Sequence, residues 1–341
     1  MFFIGGNVWW MGGLLFIIAN LTFGAAFIFY NAYLPDIASE DQRDRVSSYG
    51  WAMGYLGGGI LLALNLAFFF FRDKLGVPTD LAIRINLASA GVWWLGWSFL
   101  TWAYLHPRRA HRPLPARETY FSVGFKQLGK TIQEVRHFPE TLKYLFAYLL
   151  YNDGIQTVIA MSATFAAAPL VRGGLELDTN TLTGIILMIQ FVAFFGALFW
   201  GRLAGWIGAK QSIIISLVIW SGVIVYAYFG LKSEARALEF TLLGVVIAIV
   251  LGGSQAISRS LFAQMIPSGK EAEYYSFYEI SDRGTSWIGP AIFALMNQIF
   301  GSLRPAILSL IVLFLLGLLI LPFVNVKKAK EDVEKFDTEQ A

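Results

Sequence analysis

Runs of about 20 or more mostly apolar residues alternate along this chain with short polar, charged stretches. As a helix, each run rises about 1.5 Å per residue and reaches across about 30 Å of hydrocarbon. The pattern predicts spans at 10–34, 46–71, 82–105, 141–168, 179–200, 211–230, 239–257, 274–299 and 303–324, nine in all. Lipid offers no partner to a backbone N–H or C=O, so each segment must satisfy its own, as a helix does. The predicted fold class is all-α, a polytopic membrane helical bundle.

Composition agrees: 14% of the residues are charged and 56% belong to the apolar and aromatic set, against about 25% charged in an ordinary soluble domain. A formal charge of +3, scattered between the apolar runs, gives no reason to expect a nucleic-acid partner. The chain has no cysteine, and its three histidines, His106, His111 and His137, share one hydrophilic loop. Disulfide, thiolate and zinc chemistry are therefore not expected, no cofactor is predicted, and no nucleophile and base are placed together to suggest an enzyme.

Charge placement orients the bundle. Counting Lys and Arg in alternate loops gives 18 on one side, including the C-terminal tail, and 7 on the other. Basic residues favour the cytoplasmic side, so the tail is expected in the cytoplasm. The longest loop divides the chain into a three-span bundle (1–105), a linker (106–140), a six-span bundle (141–324) and a tail (325–341). Within the linker, Phe121, Phe125, Leu128, Ile132 and Val135 recur at spacings of 4, 3, 4 and 3, describing an amphipathic helix on the cytoplasmic face. The same stretch, Gly124 to Thr131, spells the phosphate-binding pattern G-x-x-x-x-G-K-[ST]. That pattern needs a buried strand and a parallel sheet to support it, and the linker is too short to build them, so ATP is not an expected partner.

Ionisable residues inside spans cost a few kcal/mol and tend to face a cavity or a partner. The fourth span carries Asn152, Asp153, Gln156 and Thr157, with Asp153 near its midpoint. A carboxylate at that depth is a candidate to take up and release a proton, or to fix packing through neighbouring amides and hydroxyls. The eighth span carries Tyr275, Tyr278, Glu279, Asp282, Arg283 and Ser286. Its charges would serve substrate or proton, or form a structural gate network, and the following Gly289-Pro290 pair is expected to kink the helix. Gln255 and Arg259 lie one turn apart on the seventh span, Arg259 either capping a gate or snorkelling to the interface. Gly50, Gly54 and Gly58 suggest a close-packing face on the second. The turn at 201–210 is expected to be tight.

Four blocks carry a resemblance: Phe29-Tyr-Asn-Ala-Tyr-Leu-Pro-Asp-Ile-Ala38 leading to Arg45-Val-Ser-Ser48, Tyr151-Asn-Asp-Gly-Ile-Gln-Thr157, Gly252-Gly-Ser-Gln-Ala-Ile-Ser-Arg-Ser260, and Tyr278-Glu-Ile-Ser-Asp-Arg-Gly-Thr-Ser286. In order and spacing they resemble the branch of the major facilitator superfamily that includes the autophagy-related vacuolar amino-acid effluxer of yeast and its bacterial relatives. The 201–210 turn is similar to the superfamily motif G-x-L-A-D-R-x-G-R-K, although Gly205 and Trp206 replace its Asp and Arg. The resemblance implies twelve spans in two six-helix halves around a cavity that opens to either side alternately. The nine predicted here match the fourth to sixth and the whole second half, so the chain is expected to be truncated at its N-terminus, beginning at an internal methionine. A multi-pass protein of a bacterial inner membrane is expected.

The function so implied is secondary active export of amino acids or similar small metabolites, coupled to protons. Asp153 would serve as the proton or substrate-amine site, Glu279, Asp282 and Arg283 as the gate or coupling network, Asn152, Gln156, Gln255 and Tyr278 as the polar lining, and Arg259 as a gate. Two alternatives stay open: proton-coupled uptake of sugars or other organic solutes, and a lipid-handling membrane protein that moves no solute. The expected partners are the lipid bilayer, a small solute and protons.

Overall fold

The computed structural model describes residues 2, 8–105, 119–280 and 286–340. Among these residues every regular element is helical. Helices α1 (Trp9–Ala32), α3 (Arg43–Phe71) and α4 (Thr79–Tyr104) precede the linker, with the short α2 (Leu34–Ile37) at the α1 turn. The linker holds α5 (Tyr120–Glu134). After it come α6 (Pro139–Ala167), α7 (Thr179–Ile207), α8 (Ala209–Phe229), α9 (Arg236–Ala263), α10 (Glu271–Glu279), α11 (Ile288–Phe300), α12 (Leu303–Ser309), α13 (Ile311–Ile320) and α14 (Val326–Gln340).

Among the described residues, six helical segments, built on α1, α3, α7, α8, α9 and the α12–α13 pair, are long and apolar enough to cross a membrane. The third and fourth predicted spans form helices of 26 and 29 residues, α4 and α6, but are not among the six. Polar residues dilute their apolar character: α4 opens with Asp80 and Arg84, and α6 carries Asn152 and Asp153. Of the eighth, the described residues include α10, α11 and a turn at 286–287 just before α11. Pro290 stands in the first turn of α11, where a missing N–H costs nothing because the first turn has no intrahelical acceptor for it. It therefore starts a helix here and does not kink one from within.

Burial is uneven. In the most apolar window of α9, 67% of the residues are buried, whereas the corresponding window of α1 has none. The bundle after the linker is thus packed around α9, with α7 and α8 beside it and α6 closing on α13. Glycine sets the closest of these approaches. A Cβ on Gly196 would lie 2.5 Å from the Ile249 carbonyl oxygen, and one on Gly252 would lie 2.7 Å from that of Ala193, so α7 and α9 touch backbone to backbone.

The predicted Gly50, Gly54 and Gly58 face is only partly realised. Gly50 faces Tyr30 and Arg259 and Gly58 approaches Gln190, but nothing stands within 4 Å of a Cβ on Gly54. The α7–α8 turn is indeed tight, a single residue, Gly208, at φ +89°. The G-x-x-x-x-G-K-[ST] residues lie inside α5, where helix bonds occupy the backbone amides that a phosphate-binding loop would present.

The tail is not a loose extension. Lys210 Nζ donates to the carbonyl oxygens of Pro322 (2.6 Å) and Val324 (2.8 Å), and Glu140 accepts from the Asn325 N–H at 2.8 Å. From this elbow α14 folds back under the bundle, burying Ala329 and Val333 and setting Phe336 edge-on to Phe138 at 5.2 Å. The end of the bundle that carries the linker, the tail and the turns at 33–42 and 264–270 is called the linker end below.

Candidate functional site

Arg259 is 3% exposed, which excludes the snorkelling arrangement. Its side chain leaves α9 near the linker end and reaches the helices that precede the linker. Nε donates to Ser47 Oγ at 2.9 Å, Nη2 to the Ser47 carbonyl oxygen at 3.0 Å and Nη1 to Asn31 Oδ1 at 3.3 Å. The guanidinium also lies 4.9 Å from the centre of the Tyr30 ring, a cation–π contact. Gly50 makes room for this: a Cβ there would meet Tyr30 Oη at 2.6 Å and Arg259 Nη2 at 3.2 Å. Asn31 then passes the interaction on, its Nδ2 donating to Glu279 Oε1 at 3.3 Å. Asn31 is fully buried and Glu279 is 4% exposed, so α1, α3, α9 and α10 share one polar chain sealed from water.

Further bonds join the same helices. Ser47 Oγ donates to the Ala256 carbonyl oxygen (2.6 Å), Arg43 Nη1 to that of Ala263 (3.2 Å), and Ser260 Oγ to Asp44 Oδ1. Tyr55 Oη donates to Gln255 Oε1 at 2.7 Å, which pairs the predicted lining residue with α3. Tail residue Lys330 meets Glu40 at 3.2 Å.

Asp153 lies midway along α6 and is 1% exposed. Its Oδ2 accepts from the Gly289 N–H at 2.6 Å. Gly289 is the second residue of α11, so the carboxylate caps a helix N-terminus, where free N–H groups and the helix dipole favour an anion. Its other oxygen, Oδ1, is buried with no hydrogen-bond partner among the described residues. Glycine is required opposite, because a Cβ on Gly289 would fall 2.1 Å from Thr157 Oγ1, itself donating to the Asp153 carbonyl oxygen at 2.7 Å. Asn152 is buried beside Asp153, and Gln156 is half-buried.

Aromatic residues connect the two clusters. Tyr151, next to Asn152, bonds through Oη to Ser258 Oγ at 2.7 Å, and Tyr144 Oη donates to the Ser258 carbonyl oxygen at 2.8 Å. Tyr278 stacks on Tyr148 at 4.0 Å between ring centres and on Phe262 at 5.2 Å. That makes Tyr278 part of the α6–α9–α10 packing. Asp282 and Arg283 lie outside the described residues, and so does the pairing predicted for Arg283. Asn31, Ser47 and Tyr30 were not singled out for chemistry. The only signal for them was that all three fall within or beside the first resemblance block.

A bundle whose polar chain runs between Phe29–Ala38, Arg45–Ser48, Gly252–Ser260 and Tyr278–Glu279 brings three of the resemblance blocks to one place, and comparison with known proteins agrees. The family described as "Vacuole effluxer Atg22 like" matches residues 1–334. The chain belongs to this family. Among its Atg22-like relatives, the MFS-type transporter YxiO of Bacillus subtilis (strain 168) is 30% identical over 325 residues, which cover 94% of this chain and 73% of the relative. Autophagy-related protein 22-1 of Aspergillus niger is 31% identical over 305 residues, covering 84% of this chain and 48% of that protein. Autophagy-related protein 22-1 of Penicillium rubens is 26% identical, covering 96% and 67% respectively. This Atg22-like chain is an integral, multi-pass membrane protein of an MFS-type transporter family.

Proposed function

We propose that this chain belongs to a secondary active transporter, which exports amino acids or similar small metabolites by alternating access with proton coupling. It crosses the membrane nine times, with α4, α6 and the α10–α11 pair joining the six apolar segments, and the linker end faces the cytoplasm. Asp153 is the proton or substrate-amine site. Its half-satisfied carboxylate is the observation that carries this reading, since Oδ1 is buried without a partner among the described residues while Oδ2 holds the N-terminus of α11. A proton or an ammonium group at Oδ1 would satisfy that oxygen and change the charge the helix end feels.

Alternating access also needs a region where the two bundles separate. The side-chain hydrogen bonds between helices on either side of the linker run from residues 31–55 to 255–279 and 330. This concentration supports a state closed toward the cytoplasm, with Arg259, Asn31 and Glu279 as the inner latch. Purified protein reconstituted with a pH gradient tests the assignment. Wild type should concentrate or release labelled amino acid in response to the gradient, and Asp153→Asn should lose that response while still exchanging solute down its own gradient. Gradient-driven flux unchanged in Asp153→Asn would remove Asp153 from the mechanism.

A further inference from the structure

Helix α14 is held to the bundle after the linker at both of its ends. At its start the Asn325 N–H donates to Glu140. Near its finish Asp337 Oδ2 accepts from the Ser268 N–H at 3.2 Å, and Phe336 packs against Phe138 and against Lys270, whose Nζ lies 4.7 Å from the ring centre. Between these anchors the helix passes the start of α3. There Lys330 Nζ pairs with Glu40 Oε2 at 3.2 Å, and its charge also acts on Asp44, four residues on. One cation of the tail thus faces two carboxylates that precede the linker. Their surroundings are wet. The side chains of Lys330 and Glu40 are 33% and 63% exposed. A cavity of about 130 Å³ lies beside them, lined by Glu40 and Arg43 on one side, Gln264 and Glu271 on another, and Val333 and Asp337 of the tail. A polar space of that size has room for several waters.

Farther in, the seam between the two sides changes character. Arg43 Nη1 donates to the Ala263 carbonyl oxygen at the edge of this cavity, and Asp44 accepts from Ser260. One turn deeper Ser47 meets Arg259, whose guanidinium is almost completely buried. An exposed ion pair beside water is worth little and is screened by salt, whereas a buried and fully bonded ion is costly to strip of its partners. We propose that α14 is a bracket fixed to the post-linker bundle, and that Lys330 forms with Glu40 and Asp44 a salt-sensitive outer lock, the first contact to yield when the linker end opens. The tail stays in place as the lock yields, and the helices before the linker move away from it. The lock rests on the reading that this end of the molecule separates during transport. To that reading it adds a step governed by ionic strength and by a residue outside the transport site.

The chain has no cysteine, so pairs of nitroxide labels can be placed without further changes. Asp41→Cys with Thr338→Cys measures the distance across the seam, and Gln211→Cys with Thr338→Cys measures it within the post-linker bundle; all three positions are exposed. Dipolar distance measurements in nanodiscs should give a short and a long population for the first pair and a single population for the second. Lys330→Glu should raise the long-to-short ratio about threefold, the order expected of an exposed pair, and Glu40→Lys added to it should recover at least half of the change. Raising the salt from about 50 mM to about 1 M should shift the protein with Lys330 in the same direction and leave Lys330→Glu little affected. An unchanged distance in the second pair reports that folding is intact. A ratio that ignores Lys330 would overturn the lock, and so would a charge swap that recovers nothing. Lengthening of the second pair in Lys330→Glu would overturn the bracket, because the tail would then have left its own bundle. A short distance alone across the seam, in every variant and at every pH and solute concentration, would overturn the alternating-access reading together with the lock.

Discussion

Arg259 and Asp153 are both almost completely buried, one at 3% and the other at 1% exposure, yet the protein treats their charges in opposite ways. Arg259 directs donors to Ser47 and Asn31 and lies against the Tyr30 ring, so its guanidinium is held from three sides by residues more than 200 positions away. Among the described residues, Asp153 has one bond to its carboxylate and one bare oxygen. A buried ion with full coordination stabilises one arrangement of helices, because any rearrangement strips it of partners in a medium that cannot replace them. A half-coordinated one is costly as it stands and becomes less so when something binds. The first suits a latch and the second suits a site.

The largest effect is expected at the latch. Arg259→Ala leaves Asn31, Ser47 and Glu279 buried without their cation and should cost about 3–5 kcal/mol, read as a lowered denaturation midpoint in detergent. Arg259→Lys keeps the charge but not the planar fork that reaches Ser47 and Asn31 together, so it should recover less than half of the loss. Equal stability of the lysine variant and wild type would show that charge alone matters there, and the contrast with Asp153 would weaken.

Next comes the glycine that faces Asp153. Gly289→Ala should destabilise by about 2 kcal/mol, as overpacking does, because its methyl group meets Thr157 Oγ1. Adding Thr157→Ala removes that obstacle and should restore at least half of the stability, a coupling measured by the double-mutant cycle. Additive losses would mean that the close approach of α6 and α11 at this point is not what requires glycine.

Glu140 offers a carboxylate of the opposite kind to Asp153, and a smaller effect. Burial alone would raise its pKa, but the Asn325 N–H and Lys143, with Lys328 further off, outweigh that and hold it below the usual carboxylate value. Because the folded state depresses this pKa, the stability it contributes is complete above the unfolded value of about 4.3. It is lost as pH falls through the lower folded value. Protection of the amides at the tail elbow, residues 321–326, taken relative to the intrinsic exchange rate at each pH, should therefore be steady down to about pH 5 and fall below about pH 4, and Glu140→Gln should show the lower protection already at neutral pH. An acid-induced loosening that persists unchanged in Glu140→Gln would assign it to another group.

Much of this architecture was legible from apolar run length. The segments predicted at 211–230 and 141–168 are observed as the helices α8, Ala209–Phe229, and α6, Pro139–Ala167. Asp153 was legible for a related reason: a carboxylate midway along an apolar run is conspicuous wherever its partners lie. The partners themselves were not. Asn31 is one uncharged residue near the end of an apolar run, and nothing in its own surroundings says that it joins an arginine 228 positions later to a glutamate 248 positions later. The packing of the tail was hidden for another reason: Ala329, Val333 and Phe336 stand at helical spacings of 4 and 3, but as a weak apolar stripe among charges.

The smallest change in stability is expected from Asp153→Asn, and this is the sharpest form of the comparison. The asparagine carbonyl oxygen can accept the Gly289 N–H as Oδ2 does, so the cap on α11 survives. Its amide group stands where an oxygen had no partner, so no existing bond is lost but two buried N–H donors go without acceptors, while the cost of a buried charge disappears. The two changes oppose each other, and the denaturation midpoint should move by less than about 1 kcal/mol in either direction. Asp153→Ala removes the cap as well and should cost about 1 kcal/mol more than the asparagine variant. If Asp153→Asn proved as damaging as Arg259→Ala, the ionised carboxylate would be a structural member of the bundle, coordinated as fully as the arginine, and its bare oxygen would no longer distinguish a binding site from a latch.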